Sequence, residues 1–193
     1  MGNGDSGIEE TRERKGFGCY DSPFSIPYSR NKVIGLLQRV RRAAVEVAGE
    51  TVAAIGPGLL VLVGVQREDG EAQGRRLLER LLGYRVFPDT GGRMNLSLRD
   101  TGGGLLLVPQ FTLAADTAKG ARPSFASAAE PARARALFEA LVAQARQEWP
   151  DSGSGVFGAD MQVSLVNDGP VTFWLETGGE GREAGSATAP RQV

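Results

Sequence analysis

The stretch MQVSLVNDGPVTFWLE, Met161 to Glu176, decides how the end of this chain folds. Its flanks, Met161 to Val166 and Val171 to Glu176, are rich in β-branched and aromatic residues and read as strands. Between them stand Asn167, Asp168, Gly169 and Pro170. Asp-Gly suits a tight hairpin turn, but Pro170 directly after it fixes φ, removes a backbone donor and can sit in cis. Read alone, NDGP is a four-residue loop between two strands. The rest of the chain has to supply any further role.

Upstream, Ile34 to Val40, Ala43 to Val47, Val52 to Ile55 and Leu59 to Val65 are short apolar or alternating runs. Ala48-Gly49-Glu50 and Gly56-Pro57-Gly58 separate them, so the first part of the core reads as an antiparallel meander. A helix follows with Leu77, Leu78, Leu81 and Leu82 on one face, then a Gly91-Gly92 turn and a strand from Leu105 to Val108. In a second helix Pro131 sits near the first turn, and Ala134, Leu137, Phe138, Leu141, Val142 and Ala145 recur at three- and four-residue steps. This order predicts an α+β domain over residues 33–177, with antiparallel β-sheets stacked on one another and the helices in an outer layer. Residues 1–32 and 178–193 lack a sustained period and are expected to be poorly ordered tails.

Composition excludes several chemistries. A net charge of −1 argues against bulk electrostatic binding of nucleic acid, so any RNA contact has to be local and no DNA partner is expected. The single cysteine, Cys19, rules out a disulfide within the chain, and no apolar run reaches the length of a membrane span; a soluble, cytoplasmic protein is expected. Histidine is absent altogether. Ser-His-Asp triads, Cys-His dyads and His-based zinc sites are thereby excluded. Carboxylates, hydroxyls, backbone groups, a carboxylate-bound Mg²⁺ or a group carried by the substrate remain.

Four segments stand out as candidate chemistry. Gly56-Pro57-Gly58 is best read as a turn. In PQFTL, Pro109 to Leu113, an apolar strand runs into Gln110 and Thr112, which on chemistry alone is a strand end meeting solvent. Lys119 and Arg122 in DTAKGARPSF could hold phosphates, although two basic residues on a loop are usually solvated. NDGPVT is the fourth.

Taken together and in order, QRV (Gln38 to Val40), GPGLLVLVGV (Gly56 to Val65), MNLSL (Met94 to Leu98), PQFTLAADTAKGARPSF and FGADMQVSLVNDGPVT resemble the D-aminoacyl-tRNA deacylase family, the chirality proofreaders of translation. The resemblance spans essentially all of Val33 to Glu176. It implies a homodimer, acting without metal or cofactor, that hydrolyses the ester between a D-amino acid or glycine and the terminal adenosine of tRNA. Gln110, Phe111 and Thr112 fall on the family's catalytic motif, and Gly169 and Pro170, within Asn167 to Thr172, on its Gly-cis-Pro motif. Pro109 departs from the pattern, since the family usually has Ser there, and in this it is similar to a related animal deacylase of relaxed chirality that also carries Pro.

The resemblance gives NDGP a task. A cis Gly-Pro bond aims two neighbouring carbonyl oxygens the same way, able to accept an α-ammonium while leaving no room for a side chain on the L face. Each tenfold of rejection asks for about 1.4 kcal/mol of clash or lost hydrogen bonding. Glycine has no side chain to exclude. Because an aminoacyl ester is already activated, the ribose 2′-OH can handle the proton, with backbone N–H groups of Phe111 and Thr112 as oxyanion donors and Gln110 holding the adenosine. Covalent attack by Thr112 is the alternative. Two other classes stay open at this stage: a tRNA-end binding module without catalysis, and a structural domain whose Gly-Pro is an ordinary trans turn. The resemblance further implies that Arg39 fixes the Gly-Pro segment, which reaches the other subunit's site. It also suggests translation starting at Val33, where relatives begin with Met.

Overall fold

The computed structural model describes residue 1 and residues 32–117 and 121–177. In chain order the elements are β1 (Val33–Val47), β2 (Glu50–Ile55), β3 (Gly58–Gly64), α1 (Glu71–Gly83), β4 (Phe87–Pro88), β5 (Met94–Leu96), α2 (Leu98–Thr101), β6 (Gly104–Pro109), a 3-10 turn (Phe111–Ala114), α3 (Pro131–Glu148), β7 (Ser152–Ser154) and β8 (Met161–Thr177). The α+β class holds, but the main sheet is mixed. β1 runs antiparallel to β2, β3 and β8, whereas β3–β6 and β6–β7 are parallel. A parallel return needs a long crossover, and α1 lies on the way from β3 to β6.

The first two apolar runs form one strand, and so do the two halves of the opening stretch. NDGP is therefore no hairpin turn: both flanks of it pair with β1 in the same antiparallel sense. From Val166 to Thr172, β8 takes six steps while β1 takes four between Arg42 and Gln38, so the excess is extruded as a bulge. Such an excess bends both strands. Leu37 and Phe173 lie with the helix-side core of Leu59, Val61, Leu77, Leu81 and Phe138. Beyond the bulge, Val40, Ala43 and Val45 join a second core with Leu60, Leu106 and Val108, against which Met161, Val163 and Leu165 pack. β1 and β8 thus turn a corner together and serve both layers, as strands do where one sheet folds over another.

Period two in β3 and β6 supplies the middle of the stack: Leu59, Val61, Leu105 and Leu107 face the helices, while Leu60, Leu106 and Val108 face the folded-over strands. The two strands approach closely at Gly58 and Gly104, where a Cβ on Gly58 would lie 2.0 Å from the Gly104 oxygen. Gly56-Pro57-Gly58 therefore leads into a packing contact. α1 buries Leu77, Leu78, Leu81 and Leu82, and α3 buries Ala134, Phe138, Leu141, Val142 and Ala145, matching the predicted faces, with Leu137 only half-buried. The short elements β4, β5, α2 and β7 had no periodic signal. No helix among the described residues is long and apolar enough to cross a membrane. Lys32, assigned to the tail from sequence, places its ammonium 2.7 Å from Glu176 on β8. The tail expectations for residues 2–31 and 178–193, and Lys119, lie outside the described residues.

Candidate active site

β6 ends at Pro109, opposite Val63 of β3, and the chain leaves the sheet through Gln110, whose N–H donates to the Val63 carbonyl at 2.7 Å. The 3-10 turn then closes with Leu113 N–H on the Gln110 carbonyl at 3.2 Å. Because that is its first bond, the N–H groups of Phe111 and Thr112 precede it and have no acceptor inside the turn. Gln110 Nε2 donates to Thr112 Oγ1 at 2.5 Å. The Thr112 hydroxyl is thereby engaged as an acceptor. Phe111 remains 56% exposed and rests on Phe125, ring centroids 5.3 Å apart.

Beside this turn opens a cavity of about 300 Å³ lined by Pro109, Gln110, Phe111, Phe157, Ala159 and Met161, among others. Its walls are largely apolar and include two phenyl rings and a thioether, surroundings suited to a flat heterocycle. Arg135 lies over the outer Phe157 ring at 5.3 Å. The sequence singled out Gln110 and Phe111 but gave no role to Phe157, Ala159 or Met161; their one signal was the segment FGADM, which runs into the opening stretch.

The bulge is a second, separately built feature. The Gly169–Pro170 peptide is cis and Gly169 has φ +149°. A Cβ on Gly169 would lie 2.6 Å from Val171 N, a backbone atom that cannot step aside, so only glycine fits. Asn167 closes the base of the bulge, accepting from Val171 N–H at 2.7 Å and donating through Nδ2 to the Val171 carbonyl and Thr172 Oγ1, each at 3.2 Å. Arg39 is buried beneath. Its Nε donates to the Asp168 carbonyl at 2.9 Å and lies 3.2 Å from Asp168 Oδ2, while Nη1 donates to the Val86 carbonyl. Arg41 takes the other carboxylate oxygen at 3.0 Å. Sequence reasoning gave Arg41 no role and named Asp168 only as part of NDGPVT, though Arg39 and Arg41 two apart on a strand share one face.

Within the chain these two features remain apart: the cavity lining contains Gln110 and Phe111 but none of Asn167, Gly169, Pro170 and Arg39. Thr112 is next to the cavity rather than in its wall. No cluster of three or more His, Cys, Asp or Glu suited to a metal occurs among the described residues.

The mixed sheet thus carries an open strand-end turn and a braced Gly-Pro bulge, and comparison with known proteins gives the family. The sequence profile described as D-Tyr-tRNA(Tyr) deacylase matches residues 36–176, and the chain belongs to that family. It is 69% identical over 144 residues to the D-aminoacyl-tRNA deacylase of Thioalkalivibrio sulfidiphilus (strain HL-EbGR7), covering 75% of this chain and 97% of the relative. To the enzyme of the same name from Alkalilimnicola ehrlichii (strain ATCC BAA-1101 / DSM 17681 / MLHE-1) it is 67% identical over 144 residues, covering 75% and 96%. Among solved structures, one described as c-Myc DNA Unwinding Element Binding Protein superposes with a TM-score of 0.72 at 37% identity, covering 76% of this chain and 99% of the other. A probable eukaryotic D-amino acid tRNA deacylase shares the fold with a TM-score of 0.67 at 17% identity, covering 75% and 99%.

Proposed function

We propose that this protein hydrolyses the ester of D-aminoacyl-tRNA, and of glycyl-tRNA(Ala), to free amino acid and tRNA, as a cytoplasmic homodimer serving translation quality control. In this reading the bulge of one protomer completes the cavity beside Gln110 and Phe111 of its partner. The observation that carries it is the pairing of an open apolar cavity, whose lining lacks any cationic or acidic selector, with a rigid bulge braced by Arg39, Arg41 and Asn167 elsewhere on the same chain. Such bracing would be superfluous in a plain connection.

The terminal adenine occupies the cavity between Phe111, Phe157 and Met161, with Gln110 at its edge. Water attacks the ester carbonyl, and the N–H groups of Phe111 and Thr112 hold the oxyanion that develops. The C–O bond to the ribose 3′ oxygen breaks, that oxygen taking a proton relayed through the neighbouring 2′-OH. Main-chain carbonyls of the bulge accept the α-ammonium and occupy the space an L side chain would need. The bond from Gln110 to the Thr112 hydroxyl supports a positioning role for that hydroxyl over a nucleophilic one. The catalytic body is residues 33–177, a reading supported by the 97% coverage of the Thioalkalivibrio relative by 144 residues of this chain.

A deacylation assay with D-Tyr-, L-Tyr- and Gly-tRNA tests the proposal. Hydrolysis of D-Tyr- and Gly-tRNA with L-Tyr-tRNA left intact is the expected result. Binding without hydrolysis would identify a tRNA 3′-end binding module instead, and hydrolysis of L-aminoacyl esters a relaxed-chirality enzyme, to which Pro109 would then be the pointer.

A further inference from the structure

Phe111 is a wall of two cavities. It also borders a space of about 700 Å³ lined by Arg67, Phe125, Glu130, Pro131 and Arg133, among others. A ligand that fills the first cavity and continues past Phe111 enters the second. We propose that this second cavity binds the nucleotide preceding the terminal adenosine, its base on the Phe111–Phe125 pair and its phosphate between Arg67 and Arg133. The inference rests on the aminoacyl-tRNA reading and names the part of the RNA strand that the site takes next.

Both phenyl rings are exposed, Phe125 at 42%, and they stand tilted at 48° to each other. Exposed paired aromatics flanked by cations are what single-stranded nucleic acid requires, because every base has a π-face and every nucleotide a charge. One of the two cations is held in place. Arg133 Nη2 donates to the Asp69 carbonyl at 2.6 Å, which fixes the guanidinium while leaving its remaining N–H groups available. Arg67 is anchored at its backbone, N–H to the Ser127 carbonyl at 3.0 Å, and its exposed guanidinium has no partner among the described residues. Two guanidiniums stand against the single carboxylate of Glu130, so the space favours an anion. A chain with a net charge of −1 gains little RNA affinity from its overall field; a local pair of arginines beside the ester site supplies it where the strand must lie.

The test compares two esters, D-tyrosyl-tRNA and D-tyrosyl-adenosine, which lacks the preceding nucleotide. Arg67→Ala should raise KM for the tRNA ester by about tenfold and leave kcat/KM for the adenosine ester unchanged, and Phe125→Ala, which also removes the support of Phe111, should still lose more on the tRNA ester than on the adenosine ester. The slope of log KM against log salt for the tRNA ester should fall by about 0.7 in Arg67→Ala, the share of one single-strand phosphate. Arg67→Lys should restore part of the affinity. Equal losses on both esters would mean that Arg67 only shapes the site, and no loss on either would mean that the strand runs elsewhere; either overturns the inference while the deacylase reading stands. If the wild-type protein cleaves neither ester, the reading and the inference fall together.

Discussion

Replacing Arg39 by alanine separates bracing from chemistry, and its magnitude follows from three contacts. Arg39 is only 9% exposed, and its donors go to the Asp168 carbonyl, the Asp168 carboxylate and the carbonyl of Val86, itself 1% exposed. A hydrogen bond from a charged donor contributes roughly 1.5–3 kcal/mol, and a buried carbonyl left without a partner costs about 1–3 kcal/mol. Arg41 continues to hold Asp168 Oδ1, and its 74% exposed side chain recovers little of the loss. A net destabilisation of about 3 kcal/mol is therefore expected in urea unfolding, with the midpoint lowered at unchanged slope. The share falling on Asp168, about 1.5–3 kcal/mol, loosens the bulge and should cost roughly tenfold to hundredfold in the ratio of D-Tyr-tRNA to L-Tyr-tRNA hydrolysis. A double-mutant cycle with Asp168→Ala should return a coupling of about 1–3 kcal/mol, since the two side chains share one network. If Arg39→Ala lost less than 1 kcal/mol and still rejected L-Tyr-tRNA fully, the bracing argument would be wrong; lost stability with intact rejection would reduce Arg39 to a fold residue.

Thr112→Ala should still hydrolyse D-Tyr-tRNA, about tenfold to a hundredfold more slowly, because the backbone N–H survives while Gln110 loses its acceptor; a near-total loss would point to covalent catalysis. Gly169→Ala meets Val171 N at 2.6 Å and an unfavourable φ, so activity should collapse while the circular dichroism spectrum of the sheet and helices is retained, and an active variant would show that the bulge has room to move. Asp69 is fully buried, and burial raises its carboxyl from the ordinary 3.8 to about 6 against the opposing N–H groups of Gln66 and Lys32 and the charge of Arg133. A raised carboxylate binds its proton more tightly folded than unfolded, so its stabilisation is present below pH 3.8 and is lost as pH rises through about 6. Stability of the wild type relative to Asp69→Asn should therefore fall between those values and level off above, and a difference independent of pH would refute the burial argument. A chain beginning at residue 33 should fold and act as the full chain does, whereas an inactive or unfolded product would assign residues 1–32 a role in the fold.

The sequence by itself determined the helices α1 and α3 and the strands of the central stack, because burial on one or two faces writes a period of 3.6 or 2 into the chain. It also determined what chemistry was unavailable, since a chain without histidine cannot place one. Gln110, Phe111, Thr112, Gly169 and Pro170 were legible only as ordered motifs with a family resemblance, not from periodicity. Tertiary structure alone decided that the opening stretch is one strand. Local signals at Asp168-Gly169 favour a reversal, yet thirteen registered partners on β1, Val33↔Thr177 through Val47↔Met161, hold both flanks in line, and the surplus residues can only bulge. Asp168 and Arg41 come together at the bulge for the same reason: 127 positions apart in sequence, they meet because β1 and β8 pair along their whole length, and no local pattern encodes which strand a strand will find.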